Sequence, residues 1–312
     1  MKKRTRRVRT RRGFTLMELL VVIAIIALLI GILMPSLGLL KRISTNLRQK
    51  SIFHGFETGL ELFSKDFDGY PESTITKGSG GATPYVCGAQ HFVETIVGRD
   101  ERGFEPRTGW YAPDDSLYNS NVPTDLYDDA DESLNRRKPI YMELKKGTGV
   151  FTMADLYGTG NCGDVYESDP SGRPRAPVFT DVFRKKKITL SSGDNVKVGS
   201  PILYYKADSA SRYFKVSPMP PFYNEWIYNV LDNDSIVKLG TLEDPAVKHH
   251  FASDYTAPAP DSRNGIEIFY DTITNPNVQT HEKPFNAKTF ILISAGWDGI
   301  FGTKDDISSF DY

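Results

Sequence analysis

From Leu19 to Met34, sixteen consecutive residues carry no polar side chain. Pro35, Ser36 and Gly38 extend the uncharged stretch to Leu40, twenty-two residues in all, before Lys41 and Arg42 close it. That length meets the roughly 20 residues a helix needs to cross a bilayer. Upstream stand Lys2, Lys3, Arg4, Arg6, Arg7, Arg9, Arg11 and Arg12, with no acid among residues 1–13. A basic block directly before an apolar run reads as a positive-inside signal, rather than as a nucleic-acid footprint. A cleaved secretory signal fits poorly, because no small-x-small site follows the apolar core and the last alanine, Ala27, lies in its middle. One carboxylate, Glu18, stands where a plain anchor has none, although a charge at the centre of a membrane helix costs about 2.5–3.5 kcal/mol even on lenient scales.

The rest of the 312 residues has the composition of a water-soluble body, with 39% hydrophobic and 25% charged residues. Removing the eight leader charges would take the formal net charge from −1 to −9. Beyond Lys41, apolar residues recur at Ile43, Leu47, Phe53, Phe56, Leu60, Phe63 and Phe67, with steps of 3 and 4 from Phe53 on. That is one face of a helix. The spacing predicts a continuous rod from residue 16 to 67, about 75 Å at ~1.5 Å per residue, stopped by Asp68-Gly69-Tyr70-Pro71 and kinked or locally melted at Pro35. His91–Val97 reads as a short helix. Residues 73–84 read as a linker and the acidic stretch 113–138 as a solvated face. The predicted strands are Lys187–Leu190, Asn195–Val198, Pro201–Tyr205, Tyr213–Val216, Gly265–Tyr270 and Lys288–Ser294. The expected fold class is α+β, a long N-terminal helix followed by a loop-rich antiparallel head.

Catalytic patterns do not emerge. His54, His91, His249, His250 and His281 form no two-histidine metal motif, and the adjacent pair His249-His250 reads as solvated, since neighbours rarely point together. Neither a nucleophile elbow nor a dinucleotide fingerprint is present, so the chain reads as a non-enzyme. Two cysteines, Cys87 and Cys162, leave two readings open, a disulfide in an oxidising compartment or two free buried thiols.

The sequence Arg12-Gly13-Phe14-Thr15-Leu16-Met17-Glu18, followed by the apolar run from Leu19, resembles the prepilin class that supplies type IV pilins and type II secretion pseudopilins. The resemblance implies a basic leader 1–13 cut between Gly13 and Phe14 by a prepilin peptidase, which then N-methylates Phe14. It implies a transmembrane and assembly helix 14–40, a soluble half-helix 41–70 and a periplasmic, pilin-like head 71–312. Glu18 becomes the contact for a neighbour's new amino terminus, and Pro35 matches a proline where the family's helix loosens. The implied partners are other copies of the chain and other pseudopilins in a filament, the peptidase and an inner-membrane assembly platform. The implied location is the bacterial inner membrane, single-pass, with no nucleic acid bound.

At the far end, the strand Thr289–Ser294 runs into the Gly-rich turn Ala295-Gly296-Trp297-Asp298-Gly299-Ile300-Phe301-Gly302-Thr303-Lys304-Asp305-Asp306-Ile307. Three carboxylates returning across such a turn suit calcium, a hard cation that takes six to eight oxygens. A metal-free turn capped by Asp side chains is the other reading. The stretch resembles the C-terminal calcium loop, here 294–307, of the major type II pseudopilin, the protein G family. That resemblance implies Asp298, Asp305 and Asp306 as side-chain ligands, with Ser294 and the Ile300 carbonyl as secondary candidates. About two hundred residues separate the two matching regions, a large insertion relative to such a head. The expected function is a structural pseudopilin subunit for protein export. The alternatives are a type IV pilus or minor pilin subunit and, from another class, a membrane-anchored periplasmic binding protein or hydrolase.

Overall fold

The structure is a computed structural model that describes residues 13–77, 85–108, 110, 127, 130–144, 149–167, 176–190, 193–215 and 225–310. The side chains at 32, 35, 36 and 77 lie outside that set, as do residues 1–12 of the expected leader 1–13, the Gly78–Gly81 cluster and most of the acidic stretch 113–138. Two compact units divide the chain, one ending at Thr45 and one beginning at Asn46.

Helix α1 spans Leu16–Phe67, 52 residues. It continues through position 35, so the expected melting there does not occur. It ends where Asp68 takes a left-handed φ of 55° ahead of Gly69 and Pro71. In the first unit the described apolar side chains of α1 are exposed around the helix, among them Leu20, Ile23, Leu29 and Leu40. In the second unit a stripe of Ile52, Phe53, Phe56, Leu60 and Phe63 is buried. Ile43 and Leu47, expected on that stripe, are exposed.

Strands β1 (Thr76–Lys77) and β2 (Tyr85–Val86) pair antiparallel and lead into α2 (Gly88–Val97). After α3 (Asp131–Arg136), β3 (Gly149–Phe151) is followed by α4 (Met153–Tyr157) and pairs antiparallel with β4 (Val178–Thr180). β5 (Lys186–Thr189) and β6 (Asn195–Val198) form a hairpin. β7 (Leu203–Lys206) is followed by a 3-10 turn Val230–Asn233, α5 (Asp234–Val237) and α6 (Gly265–Ile273). The central strand β8 (Phe290–Ser294) then pairs with β7 on one side and β9 (Ile307–Ser308) on the other, all antiparallel.

All five residues of β8 are buried. Because side chains alternate across a strand, Phe290 and Leu292 join Tyr204 in one apolar cluster with Phe53 and Phe56 of α1 and Phe92 of α2. Ile291 and Ile293 join Leu203 and Tyr205 in a second cluster with Phe269 and Tyr270 of α6. The rings interlock: Phe56 lies 4.9 Å from Phe92 and 4.5 Å from Phe179, and Phe92 stacks on Tyr204 at 5.3 Å. Each such side chain, fully buried, contributes about 1.5–3 kcal/mol. A polar clasp accompanies the apolar seam, in which the Val182 N–H donates to Gln49 Oε1 at 3.1 Å.

Two strand expectations are corrected. Gly265–Tyr270 belongs to a helix, because Asn264 Oδ1 accepts from the Glu267 N–H at 2.9 Å while Glu267 Oε2 accepts from the Asn264 N–H at 2.9 Å. Once that capping box starts the helix, Gly265, Ile268, Phe269 and Ile273 share its buried face. Tyr213–Val216 is not a strand among the described residues; Tyr213 makes one isolated bridge to Trp226, and Val216 lies outside them. His249 is also corrected. It is buried, and its Nδ1 accepts from the Phe301 N–H at 3.1 Å, so it is neutral, with burial pushing its pKa down to about 4.

Candidate functional site

Gly13, Phe14 and Thr15 precede the first turn of α1, outside the helix and exposed. Thr15 caps that turn: its N–H and hydroxyl both donate to Glu18 Oε2, at 2.8 and 2.9 Å, and its Oγ1 accepts from the Glu18 N–H at 3.2 Å. Thr15-Leu16-Met17-Glu18 is therefore a capping box, a role for Thr15 that the spacing alone could have revealed. Glu18 is held by its own chain in this arrangement. Among the described residues no helix is long and apolar enough to cross a membrane.

The C-terminal turn is built between β8 and β9. Gly296 has φ 63°, and a Cβ there would fall 2.0 Å from the Asp305 carbonyl oxygen, so only glycine lets the two limbs approach. Trp297 Nε1 donates to Asn46 Oδ1 of α1 at 3.0 Å, and its ring packs edge-on against Phe183 at 5.4 Å. Within the turn, Asp298 Oδ1 accepts from the Ile300 N–H at 2.8 Å. Asp305 Oδ2 accepts from the Asp298 N–H at 2.9 Å, and its Oδ1 from the Thr303 hydroxyl at 2.9 Å. Asp306 Oδ2 accepts from the Gly302 N–H at 2.7 Å, whereas its Oδ1 is buried without a hydrogen-bond partner among the described residues.

These environments split the three carboxyls. Burial raises Asp306 well above the usual carboxylate range, against the pull of the Gly302 N–H, and the charges of Asp298 and Asp305 add to the rise. Burial also raises Asp298. At Asp305 burial acts in the same direction but is outweighed by the Asp298 N–H and the Thr303 hydroxyl, so its pKa is lowered. The structure thus gathers Asp298, Asp305 and Asp306 in one turn with each carboxylate turned to backbone capping. Among the described residues no group of three or more His, Cys, Asp or Glu side chains is placed to hold a metal ion.

The secondary candidates diverge. Ser294 donates to Asp181 Oδ2 at 2.9 Å, and the Ile300 carbonyl accepts from the Thr303 hydroxyl at 3.3 Å. Asp181 was invisible in the sequence because its partner lies 113 residues away. Burial pushes its pKa up to about 7, opposed by the Phe183 N–H and the Ser294 hydroxyl. Cys87 and Cys162 are both free and buried, so the disulfide alternative is not realised. Cys162 Sγ donates to the Gly158 carbonyl at 3.7 Å, and burial pushes both thiols up to about 12.

Residues 8–34 match the prokaryotic N-terminal methylation motif. The match covers the basic leader's end, the Gly13–Phe14 junction, Glu18 and the apolar run, and it indicates a type IV pilin-like or pseudopilin-like protein with a membrane-anchored, prepilin-like N-terminus. No curated protein and no solved structure matches the chain.

Proposed function

We propose that this chain is a structural pseudopilin subunit of a type II secretion system, assembling through α1 into a periplasmic filament for protein export. The observation that carries the reading is the methylation motif over residues 8–34. Two structural features support it. The Gly13–Phe14 bond precedes the helix and is exposed, as a protease substrate must be. Among the described side chains, Leu16, Leu20, Ile23, Leu29, Leu33 and Leu40 are exposed, a surface that requires lipid or neighbouring helices. In this reading a prepilin peptidase removes residues 1–13 and methylates the amine of Phe14. A neighbour's ammonium then displaces Thr15 from Glu18; each buried charge offsets part of the other's desolvation, and the pairing fixes subunit register. Mass spectrometry of the mature N-terminus tests this, with methylated Phe14 expected in cells holding the peptidase and intact residues 1–13 in cells lacking it. Maturation that continues without the peptidase would overturn the assignment.

Secretion is preferred to a type IV pilus because of the Asp298, Asp305 and Asp306 turn. A buried Asp306 oxygen without a partner, beside two further carboxylates, is the kind of site a calcium ion relieves. The turn as it stands does not place the three side chains around one point, so to hold the ion Asp298, Asp305 and Asp306 would have to turn from their backbone caps toward it, and its chemistry would be structural, offsetting their mutual repulsion. Isothermal titration should show calcium binding that is lost in the Asp305→Ala, Asp306→Ala double variant. Absence of binding at millimolar calcium removes the ion from the account and leaves the pilus alternative equal to secretion.

A further inference from the structure

A cavity of about 290 Å³ opens on the head where three separate stretches meet: the segment after α1, the end of β7 and the approach to the 3-10 turn. It lies just under the usual range for ligand sites, about 300–1,000 Å³, so its occupant is small. The lining carries three carboxylates, Glu72, Asp208 and Asp232, against one ammonium, Lys206. Lys206 Nζ pairs with Glu72, so those two charges cancel. Asp208 is exposed and accepts from the Ala210 N–H at 2.9 Å. Asp232 is buried, and its Oδ2 accepts from the Ser73 hydroxyl, which itself accepts from the Lys206 N–H at 3.0 Å. Neither aspartate has a cationic partner among the described residues. The second oxygen of Asp232, Oδ1, is buried with no hydrogen-bond partner among the described residues. A buried acceptor without a donor is destabilising, so this oxygen calls for a donor from outside the chain.

The uncancelled charge makes that donor a cation. Among the described residues no group of three or more His, Cys, Asp or Glu side chains is placed to hold a metal ion, which points to an organic cation. A quaternary ammonium has no N–H for Asp232 Oδ1 and relies on an open aromatic face, whereas Trp226 is 1% exposed. A guanidinium fork engages both oxygens of a carboxylate, and Ser73 already holds Oδ2. A primary ammonium is a compact charge with three donors on one nitrogen. One serves Oδ1, and the hydroxyls of Thr74 and Ser209 line the same space. We propose that this cavity binds a primary ammonium group, carried by a small amine or by a partner's lysine side chain, with Asp232 Oδ1 as its acceptor and Asp208 as the balancing charge. Burial pushes Asp232 up to about 7, opposed by the Ser73 hydroxyl, reinforced by the Glu72 charge and opposed again by the nearby Asn229 amide. A bound cation draws that proton off. Glu72, Lys206 and Asp208 are the other charged groups of the lining, and Cys87, Tyr204 and Tyr205, which sense Asp232, are pushed up by burial, away from neutrality. The proposal is independent of how the N-terminus is processed.

The test is saturation-transfer NMR on the full chain in a non-ionic detergent and phosphate buffer, with n-butylamine and Nα-acetyl-lysinamide as probes at millimolar concentration. Binding of at least one is expected, and the tighter of the two tells a free amine from a partner's lysine. With Asp232 titrating near 7, about a tenth of it is ionised at pH 6 and about nine-tenths at pH 8, so binding should be about tenfold tighter at pH 8 while the amine keeps its charge. Asp232→Asn should weaken binding about tenfold and abolish that pH dependence, a readout that a purely structural role would not move. Ser209→Trp, at an exposed position of the lining, should block entry with the circular dichroism intact. If Asp232→Asn fails to fold, the wild-type pH profile and Ser209→Trp decide. Failure of both amines to bind, equal binding of 1-butanol or tetramethylammonium, an affinity unchanged between pH 6 and 8, or binding that survives Ser209→Trp would each overturn the proposal.

Discussion

Phe56→Ala is the sharpest test of how α1 is held by the head. Phe56 is 0% exposed, with Phe92 edge-on at 4.9 Å and Phe179 tilted at 4.5 Å. Truncating a buried Phe to Ala costs about 3–5 kcal/mol, the transfer loss plus the cavity left behind. Two aromatic pairs, each worth about 0.5–1.5 kcal/mol beyond area, place this site at the upper end, near ~5 kcal/mol. For a head of this size, with a urea dependence of about 3 kcal/mol per M, the unfolding midpoint should fall by roughly 1.5 M. The internal control is Leu62→Ala on the same helix, 44% exposed, which should shift the midpoint little. Urea titration of the chain from Asn46 onward, followed by far-ultraviolet circular dichroism, reads both. Equal shifts for the two variants, or a Phe56→Ala shift under about 0.3 M, equivalent to ~1 kcal/mol, would refute the packing of α1 through this stripe.

Three further predictions concern buried polar groups. Gln49→Ala should cost about 1–3 kcal/mol by leaving the Val182 N–H unpaired in the core, read as a lower urea midpoint than that of Leu47→Ala at an exposed position. Burial pushes Asp181 up to about 7 and His249 down to about 4, and these titrations act in opposite directions. The folded chain keeps a proton on Asp181 that the unfolded chain releases near pH 4, so this group lowers stability as pH rises from about 4 to 7; His249 instead loses stability as pH falls from about 6.5 to 4. Relative to wild type, Asp181→Asn should therefore gain stability on raising the pH through that window and His249→Gln on lowering it, and slopes of the same sign would contradict the burial of one of them. Finally, reductant should leave the unfolding midpoint unchanged, and a thiol reagent should titrate Cys87 and Cys162 only in denaturant, since both are free and buried.

Where the signal was local, the sequence was legible. The steps of 3 and 4 from Phe53 to Phe63 mark the buried stripe of α1, and β6 and β8 fall where β-branched and apolar runs are bounded by turn residues. Gly265–Tyr270 was misread because Ile266, Ile268 and Tyr270 alternate as in a strand, while Asn264-x-x-Glu267, the capping signal that decides it, lies partly upstream. The leader, the Gly13–Phe14 junction, Glu18 and the apolar run were complete as linear pattern, which is why a motif of 27 residues matches there. Their chemistry needs only consecutive residues: a charge block, a small residue at the joint and one helix too apolar for water. Tertiary structure alone decided the rest. Which way Ser294 turns, where Asp181 and Asp232 lie, and whether the two cysteines meet depend on segments brought together across the chain, as in the Ser294–Asp181 bond spanning 113 residues. Burial, and with it the protonation of each buried carboxyl, follows from that three-dimensional juxtaposition, because the cost of a charge depends on every group around it and not on its neighbours in sequence.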